Sequence, residues 1–298
     1  MDSFKKIERY CFALAHYTKM SLEEKWILIR ESFNDIECID RDYKVLDQQK
    51  KLSAQKKASF FEFEADFEYK AVQFELKQKD ISWCSFFEET YPKMLREIYL
   101  PPLLLFYKGN IDWLNRPAIG VVGARLCSDY GKAAIQSLLP ELIQNDIIVC
   151  SGLAKGIDAE AHRQTILNNG KTIAVIGTGI DRSYPISNRR LQDEIGEHHL
   201  LISEFPAGTK PLKHHFPLRN RIISGISQGV MVIEAKKRSG SLITAFQALE
   251  QDREVFAVPG PIFSPVSAGT NELIKSGAKM VTSAQDILEE YPYIRLKK

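Results

Sequence analysis

From residue 117 onward, short apolar segments alternate with helix-length segments, and this alternation constrains the fold of the 298-residue chain more than any other feature. The pattern predicts an α/β fold with a mostly parallel sheet and helices on both faces. Each apolar segment is apolar at consecutive positions, which is typical of strands covered on both sides. The predicted strands are 118–123, 147–152, 172–179, 200–203, 230–235, 255–260 and 279–282.

The first part of the chain has a different pattern, which predicts a small helical domain. Ser21 directly precedes a helix-length segment, and Glu24 lies three residues after Ser21, which is the spacing of a capping box. The aromatic-rich segment 60–80 fits a helix or a strand, and we favour a helix. After a double proline, "LLLFYKG" predicts a short strand. The predicted organisation is a helical domain at 1–85, a connector at 86–116, the sheet domain at 117–290 and a tail at 291–298.

Bulk properties exclude several classes of protein. The net charge of +2 does not indicate a nucleic-acid-binding protein by itself, so such a function must rest on where the charge lies. No apolar segment is long enough to cross a bilayer, and the N-terminus has no signal-peptide pattern, so we expect a cytoplasmic location. The five cysteines form no Cys-x-x-Cys pair, which predicts free thiols and gives no reason to expect a metal.

Four of the predicted strands end in glycine, at Gly123, Gly152, Gly177 with Gly179, and Gly260. In an open α/β sheet, ligands bind outside the carboxyl ends of the strands, where glycine lets backbone N–H groups approach an anion. One such glycine more often makes only a tight turn, whereas four in one sheet favour the binding of phosphate-sized anions. The sequence contains neither a complete G-x-G-x-x-G nor a Walker P-loop, so no nucleotide cofactor is predicted.

Basic side chains are concentrated after the same strands. Residues 182–221 hold seven Lys or Arg and four Asp or Glu. Arginine binds phosphate in a bidentate geometry, so the clustering favours a nucleic-acid backbone over isolated surface ion pairs. The arginines that the topology brings to this edge are Arg125, Arg189, Arg190, Arg219 and Arg221.

Other residues near these arginines allow two interpretations each. The rings of Tyr184 and Phe216 are candidates either for stacking on bases or for packing in the core. Ser239 and Gly240 begin a helix that holds an anion or is simply capped by the serine. Asn220 holds a loop or bonds a base edge. The remaining small or basic candidates for phosphate contact are Ser128, Lys155 and Gly179.

Asp158 and His162 are four residues apart on a predicted helix, so they share one face. An Asp–His hydrogen bond that fixes the loop is the favoured role for this pair. A catalytic role is the less favoured alternative.

Together these motifs resemble the DNA-processing protein A family, also called DprA or Smf. The matching stretches follow the family's order over about residues 117–280, and they are "VVGARLCSDYG", "SGLAKGIDAEAH", "TIAVIGTGIDRSYPISNRRL", "ISEFPAGTKPLKHHFPLRNRIISGIS" and "VIEAKKRSGSLITAFQALEQDREVFAVPGPIFSPVSAGTNELIKSGA".

The resemblance implies an extended Rossmann-like domain that binds single-stranded DNA. It implies that the protein protects incoming DNA and passes it to the RecA recombinase in natural transformation and homologous recombination, as a homodimer and without enzymatic activity. It also implies an N-terminal domain of the sterile-alpha-motif type. Many members carry a C-terminal winged-helix domain, which we do not expect in a chain that stops at Lys298.

The family's phosphate-contacting positions correspond to three places in this sequence. The first is the turn Gly123, Ala124 and Arg125, in which Ala124 replaces the usual serine and removes a side-chain hydroxyl. The others are Arg189 and the group Arg219, Asn220 and Arg221.

Two enzymatic alternatives compete with this interpretation. The phosphoribohydrolases have a related fold, but their Pro-Gly-Gly-x-Gly-Thr turn is missing, since the corresponding segment reads "KRSGSLITAFQALE". A NAD-binding enzyme is disfavoured by the missing third glycine. For assembly, Leu249 and Ile274 lie in the last helices and either pair two subunits or belong to the core.

Overall fold

The computed structural model describes residues 2–33 and 50–291, with side chains from residue 6 onward. Its centre is a nine-stranded sheet in the order β1-β2-β6-β5-β4-β3-β7-β8-β9. The strands are β1 (Ser82–Ser85), β2 (Leu104–Gly109), β3 (Ala118–Val122), β4 (Ile148–Ser151), β5 (Thr172–Ile176), β6 (Leu200–Ser203), β7 (Gly229–Val232), β8 (Glu254–Ala257) and β9 (Lys279–Met280).

The seven strands from β3 to β9 pair in parallel, and β2 pairs antiparallel to both β1 and β6. All seven strands predicted from residue 117 onward are present, and the mostly parallel α/β sheet is confirmed. Every residue of β3, β4, β5, β6 and β7 is buried, because helices cover both faces.

Within residues 2–33 and 50–81, four helices precede the sheet, namely α1 (Asp2–His16), α2 (Leu22–Ser32), α3 (Ala54–Asp66) and α4 (Tyr69–Gln78). The predicted capping box is confirmed at α2, where Ser21 and Glu24 exchange hydrogen bonds. Segment 60–80 is helical as predicted, with a break at Phe67, whose backbone is extended. The likeness of this region to a sterile alpha motif stays a prediction.

The α-helices of residues 82–291 are α5 (Lys93–Arg96), α6 (Asp129–Gln144), α7 (Ile157–Leu167), α8 (Arg189–His198), α9 (His215–Gly225), α10 (Gly240–Glu250), α11 (Ala268–Lys275) and α12 (Gln285–Leu288). Two short 3-10 helices lie at Ile111–Asn115 and Ile186–Asn188. Three predicted free thiols are buried, at Cys11, Cys84 and Cys150, and a fourth free thiol, Cys127, is half-buried. Cys38 and the tail beyond residue 291 lie outside the described residues. No helix in the described ranges has the length and apolarity of a bilayer-spanning segment.

The segment treated above as a connector contributes β2 to the sheet, as the strand pattern in "LLLFYKG" predicts. Phe106 of β2 pairs with Ser203 of β6. The helical region packs on this side, since the Trp26 indole N–H donates to the Pro101 carbonyl oxygen at 3.0 Å. Trp26 and Leu105 belong to one buried core, so helices and sheet share their packing.

The strand order reverses beside β3, since β4, β5 and β6 follow on one side and β7, β8 and β9 on the other. Ligands of open α/β sheets bind at such a switch point, outside the carboxyl ends of the strands. We therefore expect the ligand site to lie at the loops after β3, β4, β5, β6 and β7.

Candidate nucleic-acid interface

The turn after β3 is held by the loop that precedes α7. The Ile157 N–H donates to the Ala124 carbonyl oxygen at 3.1 Å. Gly156 has φ +75°, and a Cβ there would lie 2.2 Å from that same oxygen. Only glycine permits this approach, so the packing of the two loops fixes the backbone of Gly123 and Ala124 and leaves the Arg125 side chain exposed.

An arginine and two aromatic rings form the centre of the candidate site, which we call the Arg125–Phe216–Tyr184 cluster. The Arg125 guanidinium carbon lies 5.8 Å from the centroid of the Phe216 ring, within cation–π range. The Phe216 and Tyr184 ring centroids are 5.5 Å apart. Tyr184 is 46% exposed and Phe216 is half-buried, so Tyr184 is not a core residue and Phe216 links it to a surface arginine.

Three further predicted basic residues are exposed beside this cluster. Asn188 is buried and its amide donates to the carbonyl oxygens of Leu153 and Ala154, at 3.0 and 3.1 Å. This bond ties the start of α8, with the exposed Arg189 and Arg190, to the loop that carries the exposed Lys155. The Arg189 guanidinium lies 3.9 Å from the Asp193 carboxylate with both side chains exposed, so the positive charge remains available.

Arg219 and Arg221 do not face solvent, which revises their assignment as phosphate contacts. Arg219 is 5% exposed, and its Nη1 donates to the Val175 carbonyl oxygen at 3.0 Å. It lies over Gly152, where a Cβ would come within 1.5 Å of Nη1. Arg221 is also buried, and its Nη2 donates to both Glu204 carboxylate oxygens at 2.6 Å. Both arginines hold the inner side of α9 against neighbouring segments.

Ser128 also has a role inside the protein, and its predicted phosphate contact is revised. It is the N-cap of α6, where its hydroxyl accepts from the Gly131 N–H at 3.1 Å. The same hydroxyl donates to the Glu234 carboxylate, which also accepts from the Ser128 N–H at 3.0 Å. Glu234 is 1% exposed and follows β7, so this contact joins the turn after β3 to the neighbouring strand across the switch point.

Gly179 is buried, and a Cβ there would lie 2.6 Å from the Pro206 carbonyl oxygen. Its N–H donates to the Thr209 carbonyl oxygen at 3.0 Å, so it packs two loops together and does not present an open N–H to an anion. This revises its predicted contact with phosphate.

The start of α10 is held by α9. The Asn220 amide donates to the Gly240 carbonyl oxygen at 3.3 Å, so Asn220 holds a loop. Ser239 is the N-cap residue, but its hydroxyl contacts the Ser241 hydroxyl at 2.8 Å and caps no backbone N–H. Gly240 is exposed, and a Cβ there would meet no atom within 4 Å.

Asp158 and His162 are both buried, and the favoured Asp–His hydrogen bond is not formed. Thr172 Oγ1 donates to the Val149 carbonyl oxygen at 2.8 Å, so the His162 Nδ1–H donates to Thr172 Oγ1 at 2.6 Å. Burial lowers the pKa of His162 to about 3, and nearby positive groups add to this effect. His162 is therefore neutral at physiological pH and supports the sheet.

Comparison with known proteins identifies the chain. A model of the family described as DNA recombination-mediator protein A matches residues 82–292. The DNA processing protein DprA of Streptococcus pneumoniae is 53% identical over 209 residues, which cover 70% of this chain and 74% of that protein. The protein of the same name from Bacillus subtilis is 48% identical over 217 residues, covering 72% of this chain and 73% of that one. The chain belongs to the DNA recombination-mediator protein A family.

Solved structures from this family have the same fold. The structure of DNA processing protein A from Streptococcus pneumoniae superposes with a TM-score of 0.80 at 40% identity, covering 95% of this chain and 97% of that one. DNA processing protein A from Helicobacter pylori, whose structure is described in terms of its single-stranded DNA binding mode, has a TM-score of 0.64 at 28% identity, covering 71% and 95%. The resemblance deduced from the motifs is confirmed.

Two exposed lysines on the loop before α9, Lys210 and Lys213, are not among the residues predicted from the sequence. This loop is fixed at Gly208, whose N–H donates to the Asp181 carboxylate at 2.7 Å. Lys213 is three residues before Phe216 of the cluster. The signal was present in the excess of basic residues over 182–221, but arginines alone were assigned there.

Proposed function

We propose that this protein binds single-stranded DNA along the carboxyl edge of its sheet. The observation that carries the proposal is the Arg125–Phe216–Tyr184 cluster, in which an exposed arginine lies against the Phe216 ring and a second ring, Tyr184, packs at a tilt beside it. Single-strand-binding proteins combine a positively charged groove with aromatic rings on which bases stack. Duplex DNA keeps its bases inside, so this combination favours unpaired strands.

The exposed charges on the same edge support binding to the phosphate backbone. Lys155, Arg189, Arg190, Lys210 and Lys213 are all exposed in loops or helix starts that follow parallel strands. The backbone of Gly123 and Ala124 belongs to the turn that carries Arg125, and it adds to this phosphate-binding surface. Neutralising several phosphates releases counterions, so affinity should fall steeply as salt is raised.

We further propose that the protein protects the bound strand and delivers it to a RecA-type recombinase during transformation and recombination. The family description as a recombination mediator supports this role. The test is filament assembly by RecA on single-stranded DNA coated with a single-strand-binding protein. Addition of this protein should shorten the lag before assembly, and an unchanged lag would contradict the loading role.

A titration of labelled single strands and their duplexes into the protein tests the DNA-binding function. Preference for the single strand by a factor of about 10 or more is expected, given roughly 1 to 3 kcal/mol of stacking per base. Equal binding of both forms would contradict the proposal. Hydrolysis of nucleoside monophosphates without DNA binding would instead assign the protein to the phosphoribohydrolase-like alternative.

Tyr184 offers a prediction about stacking. Replacing it by alanine should weaken single-strand binding by about 5- to 100-fold, because one ring is lost from the cluster. Tyr184→Phe keeps the ring and should bind within about twofold of the wild type. Fluorescence anisotropy with labelled oligonucleotides measures both variants. A loss in Tyr184→Phe as large as in Tyr184→Ala would show that the hydroxyl, not the ring, makes the contact.

We also propose a homodimer formed through α10 and α11. Leu249 is 55% exposed, and the neighbouring Ile243 and Phe246 on α10 are exposed too. Leu249 and Phe246 line a cavity of about 500 Å³ whose other wall includes Leu273. Ile274 is partly buried against the main core, so it offers less exposed surface than Leu249.

The dimer proposal makes a separate prediction. Leu249→Asp places a charge in the proposed apolar contact and should raise the dissociation constant of the dimer by about 10-fold or more, since burying an unpaired charge costs several kcal/mol. Light scattering over a concentration series measures the mass. Leu167→Asp changes an exposed leucine at the end of α7 and serves as the control. A wild-type protein that is monomeric throughout would contradict the dimer.

A further inference from the structure

Three loops on the other side of the switch point form one continuous surface. They follow β3, β7 and β8, and hydrogen bonds connect each to the next. Glu234 accepts from Ser128, as described above. The Ala235 N–H donates to the Val266 carbonyl oxygen at 2.6 Å, and the Tyr130 hydroxyl donates to the Pro259 carbonyl oxygen at 2.6 Å. A ligand that crosses this edge therefore meets the three loops together.

The loop after β8 has a fixed base and an apolar tip. Asn271 exchanges two hydrogen bonds with the backbone of Gly260, at 3.2 and 2.9 Å. A Cβ at Gly260 would lie 2.1 Å from the Ser267 hydroxyl oxygen, so the base is closely packed. At the tip, Ile262 is 82% exposed and Phe263 is 92% exposed. The fold thus presents an aromatic ring to solvent on an anchored loop.

A basic run lies next to this tip. Lys236, Lys237 and Arg238 are all exposed and directly follow Ala235, whose backbone is bonded to the loop after β8. Within the described residues, none of the three forms an ion pair. Of the carboxylates in these loops, Glu234 is buried on Ser128, and the exposed Asp129 lies 3.0 Å from Lys132.

We propose that the run Lys236–Arg238 and the tip Ile262–Phe263 form a second contact surface for single-stranded DNA, which we call the distal surface. This rests on the proposed function, because it extends the strand path from the Arg125–Phe216–Tyr184 cluster. Unneutralised basic side chains complement a phosphate backbone, and the exposed ring beside them complements an unpaired base.

Two connections make the distal surface continuous with the cluster. Arg125 of the cluster and the 81% exposed Leu126 are neighbours in the turn after β3. The Asn220 bond to Gly240 joins the end of the basic segment to α9, the helix that carries Phe216. These connections place the basic run on the same edge of the sheet as the cluster.

Oligonucleotide length separates the two surfaces. Strands of about 5 and about 25 nucleotides are titrated into the full chain, since single-strand sites span roughly 4 to 16 nucleotides per domain. Phe263→Ala should weaken binding of the long strand about fivefold or more and leave the short strand unchanged. Phe74→Ala removes a similarly exposed ring from α4 and should affect neither.

The outcomes of this experiment are distinct. Unchanged long-strand affinity in Phe263→Ala would overturn the distal surface while the proposed function stands. Equal losses for both lengths would also overturn it, because the effect would not be local. If the wild type binds neither length, the proposed function fails and the distal surface with it.

The same apolar tip beside basic residues also suits an anionic lipid surface, so vesicles of phosphatidylglycerol are included as a probe. Binding to vesicles that Phe263→Ala abolishes, together with unchanged long-strand affinity, would assign the tip to membranes and overturn the proposal.

Lys236→Ser/Lys237→Ser supplies an independent variant in the same surface. It should reduce long-strand affinity and flatten its salt dependence, and an unchanged salt dependence would count against the proposal.

Discussion

Replacing Arg221 by methionine should lower the free energy of unfolding by about 3 kcal/mol, because the change leaves the carboxylate of Glu204 in a largely buried place without its partner. The side chains of this ion pair are 8% and 13% exposed, so water compensates little for the lost contact. Chemical denaturation measures the effect. Arg189→Met removes an exposed arginine and should change stability by less than about 0.5 kcal/mol.

A double variant distinguishes the ion pair from general damage to α9. Glu204→Leu/Arg221→Met removes both charges, and replacing a buried pair by apolar residues is often nearly neutral. We expect it to recover most of the stability that Arg221→Met loses. If Arg221→Met instead keeps full stability but no longer binds DNA, then Arg221 contacts the strand and its assignment to the protein interior is incorrect.

The double variant Arg125→Ala/Lys213→Ala should weaken single-strand binding by about 150-fold or more, since each of the two lost hydrogen bonds to a charged group contributes roughly 1.5 to 3 kcal/mol. Arg125 lies against Phe216, Lys213 precedes Phe216 by three residues, and both basic side chains are exposed, so folding should be unaffected. The loss should be the same for strands of different base composition, because phosphate contacts carry no sequence information. Anisotropy titrations at one salt concentration measure it.

Lys57→Ala/Arg163→Ala is the matched control, since it removes the same net charge from surface positions on α3 and α7, where both side chains form ion pairs with protein carboxylates. Its affinity should stay close to that of the wild type. A similar loss in both double variants would mean that total charge, and not the carboxyl edge, governs binding.

The strands were predictable because a strand that is buried on both faces needs apolar residues at consecutive positions. Segments such as 118–123 and 172–179 therefore marked β3 and β5 to within a few residues. The edge was predictable as well, since the carboxyl ends of parallel strands meet on one side of a sheet. The approach of Arg125 to Phe216 follows from this topology.

The partners of individual polar side chains were not predictable. Arg221 is buried because Glu204, 17 positions earlier, folds onto it, and Ser128 binds Glu234, 106 positions later. Local sequence shows that a charge or hydroxyl is present, but it does not show the distant group that pairs with it. For the same reason the predicted phosphate contacts included Arg219 and Arg221, which are buried, and omitted the exposed Lys210 and Lys213.

The central claim, that the carboxyl edge binds a single strand through its phosphates, is tested most directly by the salt dependence of binding. Single-strand affinity is measured across a salt series for the wild type and for Arg125→Ala/Lys213→Ala. Each lost phosphate contact should reduce the slope of log affinity against log salt by about 0.7, so the variant should show a slope smaller by about 1.4. Equal slopes for the two proteins, or a wild-type affinity that does not respond to salt, would contradict the claim.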